Sequence, residues 1–487
     1  MRISSIIPCV RNANGSGHEQ RRQTDGPGKD EVNRMNDFRK TAQEMLEFIR
    51  ISPTCFHAVA NIGRMLEAAG FQQLQEKEEW KLEKGGRYYT ERNDSSVIAF
   101  VIPEKEVGIR GFHMAAAHSD SPCFKIKEKP ELTVEEHYLR LNTEKYGGMI
   151  LSTWLDRPLS VAGRLAVKNG NGIEGRLVNI DRDLCVIPNV AIHMNREMNK
   201  GVEYNPQVDL LPLLADVSFD EYDTHTTYDA QNASENAEEQ PETVEKPTLA
   251  ALAAEAAGVD AETILGEDLF LYTRQEGKMI GAKGEFVLSP RLDDLQSAFA
   301  LTKAFTESTP AEYINLCAVF DNEEVGSGTR QGADSTFLED TLQRITEGLQ
   351  EGHSTYLRWV ADSFLISADN AHAVHPNHPE KADPANRPYL NGGIVIKYHG
   401  SQKYTTDGIS AAKMKDYCER AKVPYQTYAN RSDIAGGSTL GNISTAHVSV
   451  SSVDIGLPQL AMHSAVETAG MKDTEYAVRA LKEFWGE

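Results

Sequence analysis

No two cysteines of this chain form a CxxC pair; the six present (Cys9, Cys55, Cys123, Cys185, Cys317 and Cys418) are scattered singly. A chain of 487 residues has no need of disulfide staples, so reduced thiols in a cytoplasmic protein are expected. No apolar run reaches the roughly 20 residues that a membrane span requires. The apolar patch from Ile3 to Val10 is broken by Ser4, Ser5 and Pro8, a poor core for a signal peptide, so no secretion signal is read. Basic residues are in deficit: 50 Lys and Arg stand against 72 Asp and Glu, a formal net charge of −22. Phosphate backbones need cations in excess, so nucleic acid is excluded as a partner. Peptides and small molecules fit that balance, which also keeps a chain soluble. There is no internal repeat.

What is present reads as an ordinary globular composition, too long for one simple core, so two domains or more are expected. Residues 1–34 are polar and glycine-rich, lack periodicity and read as a disordered extension. Helical spacing begins near Asp37, with Phe38, Ala42, Met45 and Ile49 on one face, and should stop before Pro53. A second helix carries Phe56, Val59, Ile62 and Leu66, with Gly70 at its end. Strand-like segments follow, Val97–Val101 and Gly111–His118 among them. From about 126 to 215 the chain is rich in short strand-like runs and turns, including Tyr138–Leu141, Arg164–Val167 and Ala191–Met194. After it, residues 220–247 hold nine acidic residues and one Lys, which reads as a solvated insert. A short Ala-rich helix at about 248–257 closes at Gly258. From about 270, buried apolar runs (Ile314–Phe320, Phe364–Ser367, Gly393–Ile396) alternate with helical stretches (Leu292–Thr306, Ser410–Ala421). That alternation predicts an α/β fold, with a mostly parallel sheet covered on both faces.

Carboxylates and imidazoles fall at the ends of these runs, where ligands of open α/β sheets bind. His118-Ser-Asp120 follows one strand. Residues two apart in extended chain point the same way, so Asp120 is placed to orient the imidazole. Asp321, Glu323 and Glu324 follow the INLCAVF strand, Asp369 follows FLISA, Asp293 opens a helix and His463 follows Leu460-Ala461-Met462. Each has a plain alternative. An HxD is as often a surface turn, Asp293 can cap its helix, and paired glutamates are usually solvated. The Glu323–Glu324 pair resists that alternative, standing between an apolar strand and Val325-Gly326-Ser327-Gly328. His372, His375 and His378 in NAHAVHPNHPE fit a solvent-exposed loop, the preferred reading for the last two.

Taken in order, HSDSPCFKIK, WLDRPLSVAGR, SPRLDDL, DNEEVGS, SADNAHAVHPN, NGGIVIKYHGSQKYTTDG and MHSAVETAG resemble the signature blocks of the aspartyl aminopeptidase family of zinc metallopeptidases. The resemblance covers the chain from about residue 37, apart from the acidic insert. It implies a zinc-peptidase-type catalytic domain (35–125 and 270–487) with a mixed, mostly parallel sheet between helices. A β-rich oligomerisation domain (126–269) is inserted into it. It also implies that Met35-Asn36-Asp37-Phe38 is where a bacterial member would begin, so that residues 1–34 are an extension or a start-site artefact.

The same resemblance implies two Zn²⁺ per subunit, with Mn²⁺ or Co²⁺ as alternatives. His118, Asp293, Glu324, Asp369 and His463 match the metal ligands. Asp293 bridges, His118 and Asp369 complete one site, and Glu324 and His463 the other. Glu323 matches the general base. His372, Lys397 and Tyr404 match substrate contacts. Lys397 is the cation for an acidic N-terminal side chain, with an ordinary edge-strand lysine as the alternative. His193 matches a histidine offered to a neighbouring subunit within a homo-oligomer, a tetrahedral dodecamer. The implied activity is release of acidic N-terminal residues from peptides. Two alternatives stay open, a related zinc amidohydrolase and a non-catalytic scaffold on a peptidase fold.

Overall fold

The structure, a computed structural model, describes residues 29–104, 108–217, 248–437 and 439–487. Four segments run parallel side by side at its centre: Ile314–Phe320, Phe112–His118, Phe364–Ala368 and Ser451–Gly456. Their side chains alternate between two cores, as the two-residue period of a strand requires. Phe112, Met114 and Ala116 enter one core, and Ala115 and Ala117 the other. The helices Lys29–Arg50, Cys55–Ala68, Leu292–Thr306, Gly408–Arg420 and Asp473–Trp485 cover one face. Phe337–Gly348, His353–Ala361 and Leu440–His447 cover the other. Strands buried on both faces are mostly apolar, which is why Ile314–Phe320 and Phe364–Ala368 show no alternation in sequence; Ser451–Gly456 departs from this, with Ser452 and Asp454 buried.

Further strands extend the sheet to nine. Ser96–Val101, Arg87–Arg92 and Gln72–Gln73 lie outside Ile314–Phe320, while Ile394–Tyr398 and Tyr425–Ala429 lie outside Ser451–Gly456. Three of its pairings are antiparallel and five parallel, so the sheet is mixed and mostly parallel, as expected.

A second, antiparallel sheet of six strands runs in the order Gly172–Asn179, Leu159–Asn169, Ile264–Thr273, Cys123–Val134, Tyr138–Tyr146, Leu213–Asp216. It encloses a core of its own around Phe124, Leu141, Trp154, Val161 and Leu165. A third sheet, of five short strands, was not foreseen: Lys278–Ile280, Phe286–Ser289, Glu467–Gly470, Pro458–Leu460 and Ala371–His372. Strands of two to four residues are too short to show a period in sequence.

Two expectations change. The first described helix begins at Lys29, eight residues before Asp37, so residues 29–34 are helical and not part of a disordered extension; the rest of that segment, 1–28, lies outside the described residues. Ala191–Met194 is a turn, closed by Met194 N–H donating to Ala191 O. Its apolar residues are exposed, so the apolar run reflects surface and not a strand. The acidic segment 220–247 also lies outside the described residues. The Ala-rich helix is there as Leu249–Ala257, ended by Gly258 in the left-handed region. Among the described residues no helix is long and apolar enough to cross a membrane.

Candidate metal centre

The parallel register brings the chemistry together. Phe320 pairs with His118, and the Phe364–Ala368 strand lies on the other side of Phe112–His118. Three adjacent strands therefore end at one edge. The first carries on into Asp321–Glu324, the second ends at His118, and the third is followed by Asp369. Asn322, at φ 62°, turns the chain so that Glu323 and Glu324 double back over the strand ends; asparagine tolerates that left-handed conformation better than most residues. Asp293 comes from the helix that packs on Phe112–His118. It does not cap that helix. Its backbone leaves helical geometry and its carboxylate faces the cluster. His463 sits on the turn between the third sheet's strands Pro458–Leu460 and Glu467–Gly470, at φ 66°.

Asp293 stands at the middle. Its Oδ1 lies 3.6 Å from His118 Nε2 and its Oδ2 lies 3.3 Å from His463 Nε2. Asp369 Oδ1 is 3.9 Å from His118 Nε2, and Glu324 Oε1 is 3.5 Å from His463 Nε2. Ligand atoms of His118, Asp293 and Glu324 also lie within 4.8 Å of one another, as do those of Asp293, Asp294 and Asp369. Asp294 Oδ2 accepts the backbone N–H of His118 at 3.3 Å.

Both imidazoles are fixed the same way round. His118 Nδ1 donates to Asp120 O at 3.1 Å, and His463 Nδ1 donates to Gly148 O. A carbonyl only accepts, so each ring carries its proton on Nδ1 and turns Nε2 to the carboxylates, as metal-binding histidines do. The Asp120 side chain reaches further than expected. Its Oδ1 lies 3.4 Å from His118 Nδ1 and accepts Glu323 N–H at 3.1 Å. Its Oδ2 accepts Glu324 N–H at 3.2 Å and the Tyr146 hydroxyl at 2.7 Å. One buried carboxylate thus orients the imidazole and holds the glutamate turn.

The residues fit divalent cations. Asp293 Oδ1, Asp294 Oδ1 and Glu324 Oε1 are buried and receive no hydrogen bond, a costly arrangement for carboxylates unless positive charge faces them. Burial pushes Glu324 and Asp294 well above the usual carboxylate range. Burial also raises Asp293, but the His118 and His463 rings outweigh it and hold Asp293 below that range. Burial lowers His463, yet Asp293 brings it up to about 8. Carboxylates this crowded demand cations, and protons on imidazole meet that demand until a metal displaces them. Glu323 differs: among the described residues its carboxylate makes no hydrogen bond or ion pair, and burial lifts it to about 7.

The expected substrate residues divide. Lys397 is buried, and its ammonium donates to Asp369 Oδ2 at 3.3 Å and to Asn370 O at 3.0 Å, with the Tyr404 ring 5.4 Å away. It is an inner-strand lysine, not an edge one, since Ile394–Tyr398 pairs on both sides. His372 borders two adjoining pockets of ≈ 330 and ≈ 270 Å³ that pass Lys381 and reach Arg431. His193 lies in the exposed turn Ala191–Met194 and makes none of the cluster's contacts.

Sequence reasoning missed Tyr146, Gly147, Gly148 and Glu467. The signal was available in part: Glu467 stands in the MHSAVETAG block, and Gly147-Gly148 ends a strand. At Gly147, φ is +78°, and a Cβ would meet Glu324 Cβ at 3.2 Å, so only glycine lets this strand end close over the glutamate turn.

Known proteins fall in with this geometry. Residues 48–485 match the family described as Aminopeptidase I zinc metalloprotease (M18). A probable M18 family aminopeptidase 2 from Clostridium novyi is 47% identical over 448 residues, covering 92% of this chain and 98% of that protein. Among solved structures, Ape4 in its complex with Nbr1 superposes with a TM-score of 0.85 at 36% identity, covering 92% of this chain and 86% of that one. The S. cerevisiae mApe1 dodecamer gives 0.75 at 26% identity, covering 92% and 97%. A histidine–carboxylate cluster at the strand ends, in a chain that matches over nearly its whole length, places this protein in the M18 family of zinc metalloprotease aminopeptidases.

Proposed function

We propose that this aminopeptidase holds two Zn²⁺, prefers acidic N-terminal residues, Asp or Glu, and works in the cytoplasm as a homo-oligomer. The observation that carries the dinuclear reading is Asp293, whose two oxygens face two differently placed imidazoles. His118 and Asp369 would hold one ion, Glu324 and His463 the other, and Asp293 both. When bound, the ions supply a nucleophilic water at neutral pH and Lewis-acid stabilisation of developing negative charge.

The chain's own residues do the rest. Glu323 takes the proton of the attacking water and passes it to the leaving amine, a role that suits a carboxylate free of partners and lifted to about 7. Asp120 keeps Glu323 and His118 in register. An ammonium has three donors, and Lys397 uses two on Asp369 and Asn370. Among the described residues no acceptor takes the third, and we assign it to a substrate carboxylate, with the Tyr404 ring 5.4 Å away. That supports the acidic preference.

Two observations support the rest. Val190, Ile192 and Met194, the last 82% exposed, surround His193 with apolar surface suited to a second copy of the chain, and mApe1 forms a dodecamer. All five described cysteines are free, as in a reducing compartment. We also read the six-stranded sheet as an inserted oligomerisation domain.

A panel of Asp-, Glu-, Leu- and Lys-starting peptides beside N-acyl amino acids, run with and without a chelator, tests the activity. Asp- and Glu-starting peptides should be cut fastest, and chelation should stop hydrolysis. Faster cleavage of N-acyl substrates would refute the specificity.

A further inference from the structure

Glu467 belongs to no metal site described above, yet its carboxylate is almost fully buried, 2% exposed, beside the cluster. Strand pairing sets it opposite Ser289, four residues before Asp293. Its Oε2 accepts Asp293 N–H at 3.0 Å and its Oε1 accepts His463 N–H at 2.7 Å. Each oxygen therefore holds the backbone of a different proposed ligand, on two segments 170 residues apart in sequence.

The contact continues. Gln459 Nε2 donates to Glu467 Oε1 at 3.5 Å, and Gln459 Oε1 accepts Asn370 Nδ2 at 2.8 Å. Asn370 Nδ2 also donates to Leu292 O at 2.8 Å, and Asn370 follows Asp369 in sequence. Gln459 and Asn370 are as buried as Glu467. Three side chains thus join the segments bearing Asp293, Asp369 and His463. Asp120 does the same for His118, Glu323 and Glu324. Burying a carboxylate costs stability that an apolar residue of similar size would not. What the carboxylate adds is two acceptors at set points.

We infer that Glu467 is a positioning residue that, through Gln459 and Asn370, locks His463 and Asp293 together and governs retention of the ion on the His463–Glu324 side. The inference rests on the dinuclear reading. In Glu467→Gln, one amide group accepts and the other donates, so an NH₂ must face one of the two backbone N–H groups.

The test measures zinc per chain and zinc affinity in the full-length protein. It also measures amide hydrogen exchange of the Asp293 and His463 segments after chelation. We expect Glu467→Gln to keep one zinc and weaken the second by about 10- to 100-fold, and to speed exchange in both segments. Excess zinc should restore part of the lost turnover. Gln459→Leu, which leaves the carboxylate in place, should give the same pattern to a smaller degree, and it stands in if Glu467→Gln does not fold. Two tightly held zincs and unchanged exchange in a folded variant would overturn the inference. Wild-type protein with fewer than two zincs would refute the dinuclear reading, and the exchange measurement would still decide whether Glu467 locks the two segments.

Discussion

Asp293 Oδ2 stands 3.3 Å from His463 Nε2, and the same carboxylate turns its other oxygen to His118. No other side chain faces both halves of the cluster through separate atoms among the described contacts. Asp293→Asn puts an NH₂ where a cation needs an oxygen. Bound zinc, measured by mass spectrometry, should fall below one per chain, and hydrolysis by at least about 100-fold. Two zincs in that variant would remove Asp293 from the bridging position.

Glu323→Gln keeps the shape of the turn, because the contact that holds it is the backbone N–H to Asp120. Zinc content should stay at the wild-type value while kcat falls by about 10²- to 10⁴-fold. Full activity would mean that another group carries the proton.

Gly147→Ala strains a left-handed residue and pushes a methyl against Glu324. The backbone cost is about 1–2 kcal/mol, read as a drop in melting temperature. Turnover should fall as well, since Glu324 must move. Gly170→Ala is the control: φ is +58° and nothing lies within 4 Å, so stability should drop similarly with turnover unchanged.

Lys397→Met removes the partner of Asp369 and the free donor at once. We expect lower kcat/KM on every peptide, and a further loss of about tenfold on Asp-starting over Leu-starting ones. An equal loss on both would assign Lys397 to Asp369 alone.

His113 is stacked between Tyr313, at 3.6 Å, and Phe484, at 4.6 Å. Burial lowers its pKa to about 4; Glu487 pulls it back, and Lys413 and Arg110 push it further down. The folded value lies below the unfolded one of about 6.5, so the neutral ring stabilises the fold above pH 6.5 and that stability is lost as pH falls from there toward 4. The loss is at most on the order of 3 kcal/mol. Melting temperature followed from pH 7.5 to 4.5 should decline less steeply in His113→Gln. Parallel declines would show that other groups set the acid limit.

Much of the fold was legible because its central strands are continuous apolar runs. Ile314–Phe320 and Phe364–Ala368 announce themselves, and the helix Leu292–Thr306 matches its predicted bounds. The third sheet was not legible, since its strands are too short to carry a period, and the apolar residues of Ala191–Met194 imitated a strand while lying on the surface.

The candidate site follows the same division. The sequence by itself determined which residues have the right chemistry and that they follow apolar strands, because those properties are local. It set His118 and Asp120 on one side of an extended segment, and their contact followed. Only the tertiary structure decided that His118, Glu324 and Asp369 end on neighbouring parallel strands. It alone turned Asp293 inward between two imidazoles and not into a helix cap. It gave Lys397 to Asp369, and it made Tyr146, Gly147 and Glu467 part of the site. Those outcomes depend on strand order, register and hydrogen bonds between separate elements, 28 residues apart for Lys397 and Asp369 and 174 for Asp293 and Glu467, and no local pattern encodes them.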